Sequence, residues 1–262
     1  MPRLRIKPAF AWTLVFLLVS ASPVWALDFD SLIQSRLSQD GKTLDLSGSR
    51  IKTAGARKLA QMEILKGVTT LLLEGNQIKA EGMEALAQSP HLANLKHLDL
   101  WGNYLGDTGL QALVESPYLK NLETLKIWKN EISEDGVALM AESEHFLNLK
   151  TLLMNNNLIT PEAVRYLAAS KGFPKLETLS LFSNEIGDEG AVYLAQSTHF
   201  PNLAKLYVGQ NGITDKGAVA LIQSGNFPKL VLLDMIMNSL GKETFKAMLK
   251  FNPDKKVQII TR

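Results

Sequence analysis

Apolar and polar residues follow a pattern that recurs every 27 residues along most of the chain. Each unit reads L-x-x-L-x-L-x-x-N-x-L, as in the segments from Leu95 to Leu105 and from Leu122 to Ile132. The alternating x-L-x-L-x part predicts a short β-strand with one buried face. Eight such units fall between Leu44 and Leu240, so we expect a stack of similar strands in a solenoid.

An asparagine follows every predicted strand at the same position of the unit. Its side chain has both a donor and an acceptor, so an inward asparagine can satisfy backbone groups that the turn leaves without a strand partner. We assign this row a structural role in preference to a functional ladder of amides. The row consists of Asn76, Asn103, Asn130, Asn157, Asn184, Asn211 and Asn238, and Ser49 holds the equivalent position one unit earlier.

The second half of each unit predicts a helix that covers the strand. Ser133, Thr160 and Thr214 are placed to cap helix N-termini, and Pro161 suits a first helical position. The residues that follow space their apolar side chains for one buried face. Strand and helix therefore alternate, which predicts an α/β fold with a parallel sheet.

The complete unit resembles the ribonuclease-inhibitor-like class of leucine-rich repeats, and the GAxxLA element at Gly190–Ala195 is similar to the GALA-type repeats of bacterial proteins. The resemblance covers residues 41–250. It implies a horseshoe-shaped leucine-rich-repeat solenoid with a parallel concave sheet and convex helices. Members of this class mostly bind proteins. Because terminal repeats must be covered, we expect a cap helix over residues 27–40 and a C-terminal cap over residues 251–262.

The first 26 residues differ from the repeats. Three basic residues precede an apolar run from Ala9 to Val19, and the segment ends in V-W-A at Ala26. This order is typical of a secretory signal peptide. A membrane anchor is the alternative, but the run is too short to cross a hydrocarbon core of ~30 Å as a helix. We expect an exported chain, periplasmic or secreted, that begins at Leu27 and keeps no membrane span.

Composition narrows the classes of partner and of chemistry. The chain has 28 basic and 26 acidic residues, and three of the basic ones lie in the predicted signal, which leaves 25 against 26. No basic field argues for nucleic acid. The chain has no cysteine, which excludes disulfides and thiolate sites. Exported leucine-rich-repeat proteins of animals commonly carry cysteine-rich caps, so their absence favours a bacterial protein.

The sequence contains no nucleophile elbow, P-loop or HExxH motif. Only His97 among the four histidines is predicted on the concave face, and its pairing with Asp99 makes a weak metal site because two ligands are too few. We therefore expect no enzyme activity, no metal and no cofactor.

Residues that flank the strand leucines point out of the predicted concave sheet. Four of them are large aromatics, and three of these, Trp101, Trp128 and Phe182, share the position that follows the strand. Trp101 and Phe182 are three strands apart, which at ~4.8 Å per strand separates them by roughly 14 Å. A contiguous aromatic patch favours a contact surface. The alternative is that the rings pack on one another and stiffen the sheet. The predicted partner-binding residues are Trp101, Trp128, Phe182, Tyr207, His97, Asp99, Lys126, Lys129 and Asn156.

Three functions compete at this point. The first is binding of another protein through the concave aromatic face. The second is binding of a glycan or peptidoglycan of the cell envelope, since tryptophan rings also stack on sugars. The third is an enzyme or an activator of GTP hydrolysis, which the export signal disfavours because it separates the chain from nucleotide-switch partners.

Overall fold

The computed structural model describes residues 24–254 and 256–262. The predicted signal segment lies outside these residues except for its last three positions, where helix α1 begins. Helix α1 ends at Arg36, four residues before the end of the predicted cap helix at residue 40. Leu37 then forms an antiparallel bridge with Leu44 of the first repeat.

Nine strands of three residues lie in the described part of the chain and form one parallel sheet in sequence order. Their order confirms the predicted solenoid, because each repeat adds one strand beside the previous one. They are β1 (Thr43–Asp45), β2 (Thr70–Leu72), β3 (His97–Asp99), β4 (Thr124–Lys126), β5 (Thr151–Leu153), β6 (Thr178–Ser180), β7 (Lys205–Tyr207), β8 (Leu232–Asp234) and β9 (Gln258–Ile260).

A helix follows each strand from β1 to β8, and consecutive helices from α2 to α9 pack on each other on the outer side of the sheet. Two short 3-10 turns, Glu63–Gly67 and Pro90–Leu92, complete the first connections. The helices are α1 (Val24–Arg36), α2 (Lys52–Ala60), α3 (Lys79–Ala87), α4 (Gly106–Val114), α5 (Glu134–Glu142), α6 (Pro161–Ala169), α7 (Gly187–Gln196), α8 (Asp215–Gln223) and α9 (Lys242–Phe251).

The constant repeat length sets the register of the sheet. Leu98 of β3 pairs with Leu125 of β4, and Leu152 continues the same row in β5. These leucines are almost completely buried, so the apolar rows of strand and helix form one continuous core between the layers. The predicted helix caps are confirmed as well, since Ser133 and Thr160 accept hydrogen bonds from N–H groups of the first turns of α5 and α6.

The buried asparagines connect neighbouring repeats through both ends of their amides. Asn130 Oδ1 accepts from the backbone N–H of Asn103 (3.0 Å) and of Leu105 (3.4 Å) in the preceding repeat. Its Nδ2 donates to the carbonyls of Leu100 and Trp128, each at 2.9 Å. One side chain therefore satisfies four backbone groups and fixes the carbonyl of Trp128 on the concave side.

A second row of polar side chains, buried or half-buried, follows the C-terminal ends of several helices, and the sequence analysis predicts no role for it. Serine hydroxyls donate to the carbonyl of the residue 29 positions earlier, at the C-terminal end of the previous helix. The bonds run from Ser89 to Ala60, Ser116 to Ala87, Ser170 to Ala141, Ser197 to Ala168 and Ser224 to Ala195, at 2.5–2.6 Å. These five serines thus tie their repeats to the previous ones on the second side of the core.

We predict that Asn130→Ala lowers the free energy of unfolding by roughly 1–3 kcal/mol, because the buried backbone groups that it satisfies lose their partner. Urea unfolding followed by circular dichroism measures the change. Asn121→Ala is the matched control, since this exposed asparagine donates to the carbonyl of Ala93 at a site that water can reach. Equal losses in the two variants would contradict a buried ladder.

Candidate functional site

Three columns of side chains cover the concave face of the sheet, because strand residues alternate between the two faces. The first column contains His97 of β3 and the threonines of β4 and β5 that are in register with it. The second contains Asp99, Lys126 and the residues aligned with them. The third follows the strands and contains Trp101 and Trp128. These columns place the predicted site residues on one surface.

An apolar depression lies over β5 and β6 and has a volume of about 340 Å³. Leu153 and Ser180 form its floor, Trp128 stands on one side, and Phe182 and Tyr207 stand on the other. Most of the accessible lining is apolar. The structure thus brings together three of the four predicted aromatics. The complete lining is Trp128, Thr151, Leu153, Asn155, Thr178, Ser180, Phe182 and Tyr207.

Gly209 allows Phe182 to occupy one wall of the depression. A Cβ atom at Gly209 would lie only 2.7 Å from Cε2 of Phe182, so the ring rests directly on the glycine backbone. Any larger residue in this position would displace the ring. Phe182 therefore packs toward the following repeat, and the space above Asn155, its neighbour in the third column, stays open as part of the depression.

Two buried polar atoms of residues that line the depression have no hydrogen-bond partner. They are Nε1 of Trp128, a donor, and Oδ1 of Asn155, an acceptor. The Asn155 side chain belongs to a residue that is only 9% exposed. Buried polar groups in folded proteins are almost always hydrogen-bonded, so this pair calls for an explanation.

An acidic pocket adjoins the depression on the other side of the Trp128 ring. It has a volume of about 300 Å³ and is lined by Glu74, Asp99, Trp101, Lys126 and Trp128. Lys126 Nζ lies 2.8 Å from Asp99 Oδ2 in a salt bridge between neighbouring strands. Trp101 is 43% exposed and forms an outer wall.

Asp99 lies in the predicted concave column, but it is more buried than the sequence predicts. We expected an exposed polar group beside the aromatics, but Asp99 is 3% exposed because Lys126 covers its carboxylate and its Oδ1 accepts from the backbone N–H of Trp101. Asp99 therefore positions Lys126 and Trp101. Trp128 is also less exposed than expected and serves as the wall between the two cavities.

The acidic pocket has two carboxylates, and only that of Asp99 is covered by a cation, so the carboxylate of Glu74 is left without a salt bridge. Burial raises the pKa of Glu74, and hydrogen bonding to Asp99 and the charge of Asp99 raise it further, while Lys126 opposes the shift. None of the salt bridges between described residues includes Glu74. The pocket therefore holds an acid in surroundings that disfavour its ionised form.

Lys129 and Asn156 lie in the turns that follow β4 and β5, with φ of 50° and 52°. Glycine occupies this left-handed position in the first three repeats. A residue with a side chain is strained here by about 1 kcal/mol or more. These two repeats thus carry side chains directly after Trp128 and Asn155, which line the depression. Asn156 Nδ2 donates to Ser183 Oγ at 2.9 Å, and Lys129 is exposed.

A polar cavity also lies at the edge where connections lead into β3–β6, but internal bonds satisfy its charged groups. Glu123 accepts from Lys150 (2.8 Å) and pairs with Lys96 (2.9 Å). These two ammonium groups lower the pKa of Glu123 to about 2. Asn121 and Asn148 donate to backbone carbonyls of the preceding repeat. This edge therefore supports the solenoid.

His97 lies on β3 and is half-buried, as a member of the first concave column. Within residues 24–254 and 256–262, no group of three or more histidine, aspartate or glutamate side chains is arranged to hold a metal ion. The same residues include no helix that is long and apolar enough to span a membrane.

The site list from the sequence omits Glu74, Leu153 and Asn155, which line the two cavities. All three fall in the concave columns, so their phase in the repeat could have identified them. The sequence reading selected large aromatics and charged neighbours instead. The missing hydrogen bond of Asn155 Oδ1 leaves no local signal in the sequence.

Comparisons with known proteins agree with this architecture. A family model described as leucine-rich repeat matches residues 42–60, 68–87, 91–114, 174–195 and 201–221. No curated protein matches the chain. Internalin C2 from Listeria monocytogenes is similar in structure, with 20% identity, a TM-score of 0.53, and coverage of 90% of this chain and 83% of its own. Human 5T4 (Wnt-activated inhibitory factor 1, trophoblast glycoprotein) has 21% identity, a TM-score of 0.50, and coverage of 74% and 69%. At these identities the likeness concerns the fold.

We predict that Glu74→Gln changes the pH dependence of stability. Folding raises the pKa of Glu74 above its ordinary value of 4.5. The stability that the Glu74 side chain contributes is therefore lost as the pH rises from 4.5 through the raised pKa of the folded protein. Glutamine does not ionise. The variant should therefore unfold at a higher temperature than the wild type at about pH 7.5 and lose most of that advantage near pH 3.5.

Thermal unfolding at the two pH values measures the effect of Glu74→Gln. Glu84→Gln, on the exposed side of α3, provides the control and should keep the wild-type pH profile. A difference between Glu74→Gln and the wild type that stays constant with pH would contradict the raised pKa.

Proposed function

Because the chain is a leucine-rich-repeat solenoid, we propose that it binds another protein through its concave aromatic-bearing face. Leucine-rich-repeat modules commonly mediate binding between proteins. The observation that carries the proposal is the arrangement around Trp128, which separates an apolar depression from an acidic pocket on one open surface. A partner that covers this surface would bury Trp128 and Trp101 together.

The concave aromatics are available to a partner because they are not engaged with one another. Among the described residues, the stacked ring pair is Phe146–Phe173, which lies in the core. Trp101 and Trp128 stand beside cavities. Tryptophan and tyrosine are enriched at the centres of protein interfaces, where they exclude water from a large area. This favours a contact surface over rings that only stiffen the sheet.

We also propose that the chain is exported and acts in the bacterial periplasm or outside the cell, as a binding protein with no catalytic role. Basic residues, an apolar run and a V-W-A ending at Ala26 support export. The absence of cysteine favours a bacterial protein. The ribonuclease-inhibitor-like class and the GALA-like repeats are supported by the helix in every repeat and by the sequence Gly190–Ala195.

The binding proposal is tested with a partner that the chain captures from a cell-envelope extract and that mass spectrometry identifies. We predict that Trp101→Ala and Trp128→Ala each weaken this complex about 30-fold or more, because truncating a central aromatic costs roughly 2 kcal/mol or more. Isothermal titration with the purified partner measures the affinities.

Tyr104→Ala is the matched control for the tryptophan variants. Tyr104 is 51% exposed but lies in the turn that leads to α4, outside the three concave columns. Its loss should leave the affinity unchanged. Wild-type affinity in both tryptophan variants would contradict the proposal. Quenching of tryptophan fluorescence by peptidoglycan fragments, without a protein partner, would favour the glycan alternative.

The export proposal has its own test. When the full chain is expressed in a bacterium, we expect the mature protein in the periplasm or the medium, starting at Leu27. Cell fractionation and N-terminal sequencing measure both outcomes. A cytoplasmic protein that retains residues 1–26 would contradict export and restore the cytoplasmic alternatives.

A further inference from the structure

We infer that the apolar depression and the acidic pocket bind one extended segment of the partner protein, with an apolar side chain above Asn155 and a basic side chain against Trp101. This inference rests on the proposed function and specifies what the partner must present. Three features of the surface carry it: the lining of the depression, the unpaired amide of Asn155 and the charge of the acidic pocket.

The depression suits an apolar side chain. Its accessible lining consists mostly of carbon, contributed by Leu153 and the rings of Trp128, Phe182 and Tyr207. A hydroxyl-rich ligand would lose its water in this space and meet few exposed polar atoms in return, which is unfavourable. An aliphatic or aromatic side chain gains free energy from the same transfer.

Asn155 adds a requirement for a backbone amide beside that side chain. Its Oδ1 has no partner, and Nε1 of Trp128, which lines the same depression, has none either. These two atoms are an acceptor and a donor. A peptide unit offers a matching N–H and C=O. Because Oδ1 of Asn155 is buried in the free protein, the inference includes a rotation of this amide about its Cβ–Cγ bond when the peptide binds. An extended segment can therefore supply the missing hydrogen bonds while its side chain fills the space.

The acidic pocket suits a cation. Asp99 already pairs with Lys126, so Glu74 holds the remaining negative charge, and Asp45 lies near enough to influence it. The exposed ring of Trp101 stands beside this carboxylate as a wall of the pocket. A guanidinium or ammonium group at this point would contact both a carboxylate and an aromatic face. The raised pKa of Glu74 is consistent with an acid that lacks such a counter-charge.

The distance between the cavities sets the spacing of the two side chains. The acidic pocket is centred near β3 and β4, and the depression near β5 and β6. About two strand spacings of ~4.8 Å separate their centres, or roughly 10 Å. An extended chain covers this distance in about three residues. Side chains of an extended chain share a face at even separations, so the partner segment should carry a basic and a large apolar residue roughly two or four positions apart.

A random peptide library displayed on phage tests this inference without knowledge of the natural partner. The immobilised wild-type chain should enrich peptides with an arginine or lysine and a leucine, isoleucine, phenylalanine or similar residue at that spacing. The inference is overturned if nothing is enriched, or if the enriched peptides lack either residue.

Two variants then assign each half of a selected peptide to its cavity. Glu74→Lys reverses the charge of the acidic pocket and should lower the affinity, with a much smaller loss for a peptide whose basic residue is replaced by alanine. Asn155→Leu removes an unpaired buried amide, so it should leave the free protein as stable as the wild type or more so. It should nevertheless weaken peptide binding about tenfold, because the hydrogen bonds to the peptide backbone are lost.

Asn121→Leu, in the connection that leads into β4, is the matched control and should leave peptide affinity unchanged. Unchanged affinity in Asn155→Leu would overturn the inference, since a buried amide without a binding role can be replaced freely. Failure of the inference is distinguishable from failure of the proposed function. A captured protein that needs Trp101 and Trp128 supports concave binding even if the library yields no such peptides.

Discussion

The asparagine amide that links each repeat to its neighbour is the interaction on which this structure depends. A three-residue strand followed by a sharp turn leaves backbone donors and acceptors inside the core, where water cannot satisfy them. The side chain of Asn130 satisfies four of them at once, and this amide bonds only within its own repeat and to the preceding one. The stack therefore depends on a constant spacing between each strand and its asparagine, because one residue inserted between them would move the amide out of reach. The same amide helps to align the side chains of the concave face, since it also donates to the backbone carbonyl of Trp128.

The sequence was sufficient for the fold because the same constraints act in every repeat. Leu98 and Asn103 occupy positions whose phase can be checked in every other unit, so local ambiguity disappears. The serine row was equally periodic, but serine at the end of a helix is common and suggested no particular bond. Its role becomes clear only from the structure, in which the hydroxyl of Ser116 donates to the carbonyl of Ala87.

The site was only partly predictable, for a different physical reason. Repeat phase determines which residues face the concave surface, but their exposure depends on neighbours in adjacent repeats. Asp99 is covered because a lysine happens to follow it in the next strand, and its role changes from contact to support. Phe182 rests on the following repeat because that repeat has Gly209 at the facing position. Such relations between non-identical units break the periodicity, so a periodic pattern cannot reveal them.

The sheet order has a consequence for the mechanics of the molecule. Each repeat packs only on the one before and the one after, so stability in this architecture is close to a sum of nearest-neighbour terms, and the ends can open separately. The two cavities, however, draw on residues from the repeats of β2 to β7. A single bound chain would touch units that otherwise have no contact. The bound chain would bridge the concave face, so that distant repeats would unfold together as one cooperative unit.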